Sequence, residues 1–466
     1  MLRFVDPSPP RREFLRVGGL GLGWLGAGGL ALPSLLARRA LAASEGSPVR
    51  ERSVVFLFLH GGPPQQETFD PKMTAPAGVR SVTGEVPTTI PGVTFGATFE
   101  KLARLAHRVA VVRSFRTGDG NHDIKPIVCR DTLGANIGSL YARVAGTNVP
   151  ESGLPRNVAL YPQAVEPGTQ PATMQFGRFG ATGPLGGSYA PFVAGSGGEL
   201  QSDLTLSVPR SRLEDRRLLL DRLDALRRSV ERSGAGAIDR IREQAFDAIL
   251  GSVSDAFDLS REDPRVVERY DTSRLIDPRT IRTRWNNHKN YKDHVATLGK
   301  LLLLARRLCE RGAGFVTVTT NFVWDMHADA NNATIDEGMR YCGLPFDHAV
   351  SAFLEDVEAR GLSEQILLVA CGEMGRTPRV NDRGGRDHWG GLAPLLLAGG
   401  GLRMGQVIGS SNRQIAEPAG EPVTIPNLVA TIFHTLFDID RLRVTRGLPP
   451  ELVRLATSSE PIPGLH

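Results

Sequence analysis

Ile366-Leu-Leu-Val-Ala370 runs without a break into Cys371-Gly-Glu-Met-Gly-Arg-Thr-Pro-Arg-Val-Asn-Asp-Arg-Gly-Gly-Arg-Asp-His-Trp-Gly390, and Leu392-Ala-Pro-Leu-Leu-Leu-Ala398 leaves it. Apolar runs of strand length with no alternation mark strands buried on both faces of a sheet. The connection between the two runs is too long and too polar for a plain turn. It carries Glu373, Asp387 and His388, groups able to bind a metal or move a proton, and Arg376, Arg379, Arg383 and Arg386, groups able to bind an anion. A polar loop seated on a rigid sheet is where function concentrates. A solvated, salt-bridged surface loop is the competing reading.

The same pattern recurs on either side. Ser53-Val-Val-Phe-Leu-Phe-Leu59 ends in His60-Gly-Gly-Pro-Pro-Gln-Gln-Glu-Thr-Phe-Asp-Pro-Lys72. Arg108-Val-Ala-Val-Val-Arg113 runs into a polar loop containing Asn121 and His122, and Gly314-Phe-Val-Thr-Val-Thr-Thr-Asn321 opens into Trp324-Asp325-Met326-His327. Asn157-Val-Ala-Leu-Tyr-Pro162 is a further strand. Helical spacing of apolar residues covers 99–107, 294–308, 346–360 and 424–436. Strands alternating with helices predict an α/β fold with a mostly parallel sheet. Ligands of such sheets bind at the carboxyl ends of the strands. Position alone therefore makes His60, Glu67, Thr68 and Asp70 site candidates. Residues 163–205, rich in Gly, Pro, Ser and Thr, read as long surface loops. Residues 211–259 turn helical with mixed charges between the leucines, and the stretch from about 205 to 300 reads as a helical insertion.

The chain of 466 residues has a net charge of +5. Residues 1–43 hold six arginines and two acids, a net of +4, which leaves +1 for the rest. So balanced a body excludes a nucleic-acid binder that works by neutralising phosphates. The start of the chain reads Arg11-Arg12-Glu-Phe-Leu15, then a Gly-rich apolar stretch, then Ala40-Leu-Ala42. That order of charged, apolar and small-residue regions is an export leader, and the paired arginines make it a twin-arginine signal. The expected partner is the twin-arginine export machinery, and the expected location is the periplasm or cell surface. No later run is apolar enough for a stable membrane span. Cys129, Cys309, Cys342 and Cys371 have the spacing of neither a metal knuckle nor a redox pair, and free thiols are expected.

Asp325-x-His327 follows a strand directly, and residues two apart on extended chain point to one side. A carboxylate and an imidazole so placed can grip one divalent cation. Glu373 follows another strand, with His388 fifteen residues on. If those strands are neighbours, Asp325, His327, Glu373 and His388 gather at one sheet edge as metal ligands. Asp387 would then orient the adjacent imidazole from behind. An Asp or His at a strand end is also a common capping group. His60, Asn121, Arg376 and Arg386 are the expected substrate contacts, and His122 and Thr68 the expected catalytic groups.

Taken together, the leader, Gly61-Gly62-Pro63, Glu67-Thr68-Phe69-Asp70-Pro71-Lys72, Asn121-His122, Trp324-Asp325-Met326-His327, Gly372-Glu373-Met374-Gly375-Arg376-Thr377-Pro378 and Gly385-Arg386-Asp387-His388-Trp389 resemble the DUF1501 family. These are exported bacterial proteins similar to sulfatases and to the alkaline phosphatase superfamily. The resemblance implies an alkaline-phosphatase-like, mostly parallel sheet sandwiched by helices, and a site holding zinc, calcium or manganese. It also implies hydrolysis of sulfate or phosphate esters, of a small molecule or a polysaccharide. Three departures stand out. The acid–imidazole pair is Asp-x-His, with tighter spacing, the first strand ends in His60 where that superfamily has an Asp ligand, and Thr68 is the nearest nucleophile candidate. A non-catalytic cell-surface protein that binds anionic glycans is the alternative.

Overall fold

Ser53–Phe58 (β1) is apolar on both faces because both faces are covered: Val55 and Leu57 pack into one core, Val54, Phe56 and Phe58 into another. The structure, a computed structural model, describes residues 46–150, 152–194 and 253–466. The expected leader and the part of the expected insertion between 205 and 252 lie outside them. Seven more strands complete the sheet: Ala110–Val112 (β2), Asn157–Leu160 (β3), Phe192–Ala194 (β4), Phe315–Val318 (β5), Ile366–Cys371 (β6), Leu395–Gly399 (β7) and Gln406–Ile408 (β8). Their order across the sheet is β8-β2-β7-β6-β1-β5-β3-β4. All pairings are parallel except those of β7, which runs antiparallel to both neighbours.

The exception has a plain cause. A parallel return needs a crossover, usually a helix, and the segment between β6 and β7 contains only a two-residue ribbon, so the chain comes back antiparallel. The fold class is as expected: α/β, mostly parallel, with helices on both faces. Residues 163–205 are not all loop, since β4 pairs along the edge with β3.

Among the described residues, the four helices of nine residues or more cover the sheet. His288–Glu310 and Leu344–Ala359 pack their leucines, valines and phenylalanines with one core, and Ile137–Ala145 and Ile425–Leu436 with the other. Asn136 accepts the Gly138 N–H at the start of one of them. Thr424 and Asn427 form a reciprocal cap on the last, with Pro426 in the first turn, where its missing N–H costs nothing. Of the segment expected as insertion, the described part carries two short helices, Ser254–Phe257 and Pro264–Tyr270, before His288–Glu310 begins. Among the described residues no helix is long and apolar enough to cross a membrane. The four cysteines are free thiols, three of them buried.

Candidate metal centre

β1 lies between β5 and β6, so the carboxyl ends of all three open side by side. The chain leaving β1 turns at Gly61 and Gly62, with φ of +111° and +81°. A Cβ on Gly61 would stand 2.5 Å from the Asp325 backbone nitrogen, so only glycine lets the two exits touch. His60 O accepts the N–H groups of Val323 and Trp324, which locks the β5 exit against the β1 exit. From β6, Gly375–Arg376 pairs with His388–Trp389 as a short antiparallel ribbon and sets Arg376 opposite His388. The loop beyond β2 lies across this ribbon: Gly118 N–H donates to Gly390 O, and a Cβ on Gly120 would meet the His388 side chain at 3.0 Å. That contact delivers His122.

His122, Asp325, His327 and His388 each present one ligand atom, and the four atoms lie within 4.8 Å of one another. Asp325 Oδ1 is 2.9 Å from His327 Nε2, 3.3 Å from His388 Nε2 and 3.7 Å from His122 Nε2. His327 Nε2 and His388 Nε2 are 2.7 Å apart. A tetrahedron built on bonds of about 2.0–2.1 Å has edges of about 3.3 Å, and these separations bracket that value. Three imidazole nitrogens and one carboxylate oxygen are thus spaced as ligands of one small cation. His388 is the most exposed of the four and Asp325 the least, at 32% and 6% of the side chain, so the cluster opens toward solvent at His388.

Three of the four donors, Asp325, His122 and His327, are held from behind. Asn332 Nδ2 donates to Asp325 Oδ2 at 2.8 Å, which leaves Oδ1 to face the imidazoles. Glu373 Oε1 is 2.8 Å from His122 Nδ1 and accepts the Gly61 N–H at 2.9 Å. Asp387 Oδ1 is 3.0 Å from His327 Nδ1. Arg376 is fully buried, bonded to Asp325 and to the carbonyls of Gly61, Gly62 and Arg386. Burial works to raise the Asp325 carboxyl, but Arg376 and the hydrogen bonds from His327 and His388 hold it well below its usual range. For His327, burial works against the charge and Asp325 overcomes it, raising the imidazole. Burial pushes His122 down to about 3 and Glu373 up to about 7. His122 is therefore neutral, the form that ligates.

Of the ligands expected from sequence, Asp325, His327 and His388 come together. Glu373 does not join them; its carboxylate is turned to Gly61 and His122, and His122 takes the fourth position instead. Asp387 stands behind His327 rather than behind its neighbour His388. Thr68 is not brought to the cluster. Its hydroxyl donates to Pro64 O and Gln65 O and closes its own turn. Arg386 is also elsewhere, fully buried against Glu67 and the carbonyls of Thr377, Pro378, Val79 and Arg80. Arg376 is committed to Asp325 and backbone, not free for substrate. Asn121 is exposed, its N–H turned to Asp119. His60 is buried among Phe58, Phe176, Phe179 and Phe322. Sequence reading did not single out Asn332, Phe176 or Phe322. For His122 as a ligand the signal existed: its loop also follows a strand of the same sheet.

A family model described as "Protein of unknown function (DUF1501)" matches residues 51–465, and the chain belongs to that family. No curated protein matches it. Among solved structures it is similar to the PsFucS1 sulfatase from Pseudoalteromonas sp., at 12% identity and a TM-score of 0.29, over 81% of this chain and 68% of that one. It is also similar to Ps i-CgsB, at 9% identity and a TM-score of 0.34, over 88% and 79%. A third is the phosphonate monoester hydrolase of Agrobacterium radiobacter, at 10% identity and a TM-score of 0.25, over 88% and 78%. Overlaps this slight fix neither a shared site nor a shared activity.

Proposed function

We propose that this DUF1501 chain is an exported, metal-dependent hydrolase of sulfate or phosphate esters. The observation that carries the reading is the convergence of His122, Asp325, His327 and His388 on one ion-sized space from two strand exits, those of β2 and β5, and the ribbon between β6 and β7. Nitrogen-rich donors of this kind suit zinc or manganese; calcium takes six to eight oxygens and fits poorly. Such an ion polarises an ester oxygen and acidifies a water. The chain's own groups prepare the place for it. Glu373 and Asp387 fix which ring nitrogens of His122 and His327 face the cluster. Asn332 turns Asp325, and Arg376 balances its charge. His388, the most exposed donor, lies where an ester would enter.

A second reading has one observation in its favour. Among the described residues no serine, threonine or cysteine side chain is hydrogen-bonded to the four donors, and Thr68 is tied into its own turn. A metal-bearing or metal-free binder of anionic glycans needs no nucleophile. Export in either reading is supported by Arg11-Arg12 and Ala40-Leu-Ala42, and recovery of the chain from the periplasm, cut after Ala42, checks it.

Elemental analysis of purified mature protein, coupled to an assay on sulfate and phosphate esters, decides between them. The hydrolase reading expects about one zinc or manganese per chain, lost together with turnover in His388→Ala. A wild-type protein that takes up no divalent ion and binds a sulfated glycan as well as His388→Ala does sinks it in favour of the binder.

A further inference from the structure

We propose that Phe176 and Phe322 form a platform beside His122 that receives a flat ring on the substrate, either an aryl group or the apolar face of a pyranose. That the ring belongs to an ester rests on the hydrolase reading; the platform itself rests on geometry. Phe322 follows the β5 exit and Phe176 comes from the loop before β4, yet their rings stack with centroids 4.8 Å apart and planes at 27°. The His122 ring lies 4.6 Å from Phe322 and 4.9 Å from Phe176, and 4.2 Å from His388. A group held at the four donors is thus one imidazole away from an aromatic wall. Phe322 is buried, while Phe176 is the half-buried outer member.

The loop that carries Phe176 is pinned rather than draped. Asn321 Oδ1 accepts the Thr173 N–H at 3.0 Å, and Asp293 Oδ2 accepts the Gln170 N–H at 2.7 Å. Asn321 does this from the left-handed region, φ +63°, a conformation that needs compensation in a residue other than glycine. On the far side, a Cβ on Gly177 would stand 2.7 Å from Ile124 Cγ1. An aromatic ring fixed in this way offers contact area to another ring with little conformational entropy left to lose. Phe176 is therefore a specificity-determining residue, not a ligand.

The test compares Phe176→Leu, which keeps an apolar cover but no ring, with Phe176→Tyr, which keeps the ring. The probes are 4-nitrophenyl sulfate, a methyl glucoside sulfate and methyl sulfate, each with its phosphate counterpart. Phe176→Leu is expected to raise KM for the ring-bearing probes by roughly tenfold, to leave methyl sulfate within about twofold, and to leave zinc content unchanged; Phe176→Tyr retains the preference. Loss on only one ring-bearing probe says whether aryl or sugar is the occupant. Equal loss on methyl sulfate, or loss of zinc, overturns the platform. If the wild type hydrolyses none of the probes, their binding is measured by saturation-transfer NMR. A ring preference erased by Phe176→Leu then keeps the platform and discards the hydrolase, and no ring preference discards the platform.

Discussion

Two buried carboxylate–arginine pairs flank the β1 exit, and they do different things. Glu67 and Arg386, both fully buried, stand 3.3 Å apart. Around Glu67 the remaining places are taken by the Ser81 hydroxyl at 2.6 Å, by Val82 N–H, and by the N–H and hydroxyl of Thr83. Every lone pair of the Glu67 carboxylate has a donor, and on the arginine side only the buried Arg386 Nε is left without a partner among the described residues. Asp325 and Arg376 start from the same chemistry, but beside the single amide of Asn332 three imidazole nitrogens arrive where Glu67 has hydroxyls and backbone N–H groups. Imidazole nitrogens bring lone pairs of their own. Gathered around one carboxylate oxygen, they could share a cation. What separates a structural clamp from a candidate metal centre is therefore not the ion pair but the company it keeps.

The largest effects come from breaking each pair in turn. Glu67→Gln leaves Arg386 buried without its counter-charge and is expected to cost roughly 3–5 kcal/mol of stability. Asp325→Asn strands Arg376 in the same way and also removes the negative charge at the centre of the donor set. Thermal unfolding with and without zinc tells them apart. Saturating zinc, at about a hundred times its Kd, adds about 2.7 kcal/mol to a protein that binds it only when folded. Wild type and Glu67→Gln should both show that rise, the variant from a lower base, and Asp325→Asn should show none. A zinc response that survives in Asp325→Asn, or vanishes in Glu67→Gln, would erase the distinction.

A smaller effect probes the support behind a donor. Glu373→Ala removes the acceptor that orients His122 and is expected to weaken zinc binding about 10–100-fold by calorimetry. The pH dependence has a definite sign. Asp325 holds His327 protonated to a pH above the ordinary 6.5, and zinc must displace that proton, so affinity should fall as pH is lowered through this region. Affinity independent of both Glu373 and pH would point to a cluster held for packing alone.

The sheet was readable because its strands, covered on both faces, needed near-continuous apolar residues, and 53–59 and 366–370 show that run at strand length. β7 kept its apolar signature but not its direction, which depends on the absence of a crossover helix rather than on any residue. Phe192–Ala194, a three-residue edge strand beside Gly and Ser, has too little pattern to separate it from loop. At the site, Asp325-x-His327 was legible by position after a strand, and His388 by its place in the polar loop fifteen residues beyond Glu373. His122, expected as a catalytic group, stands in the place expected for Glu373 because the assignment depends on which side chain reaches past the Gly61 turn, a distance between residues 251 apart in sequence. Glu67, Thr68 and Arg386 looked functional because buried polar residues of a clamp and of a site are the same residues. Only the donors around them differ.

Asp387 and Glu373 offer the finest version of the comparison, since both stand behind an imidazole of the cluster and differ in burial. Glu373 is sealed from water, whereas 51% of the Asp387 side chain is exposed. Its contact with His327 Nδ1 is screened, and Asn381 Nδ2 already shares the same oxygen at 3.2 Å. Asp387→Asn keeps an acceptor and removes only the charge, so zinc affinity should fall by no more than about fivefold, well short of the Glu373→Ala loss. If Asp387→Asn costs as much as Glu373→Ala, the exposed carboxylate acts on the cation directly, and the donor set must be redrawn with Asp387 inside it.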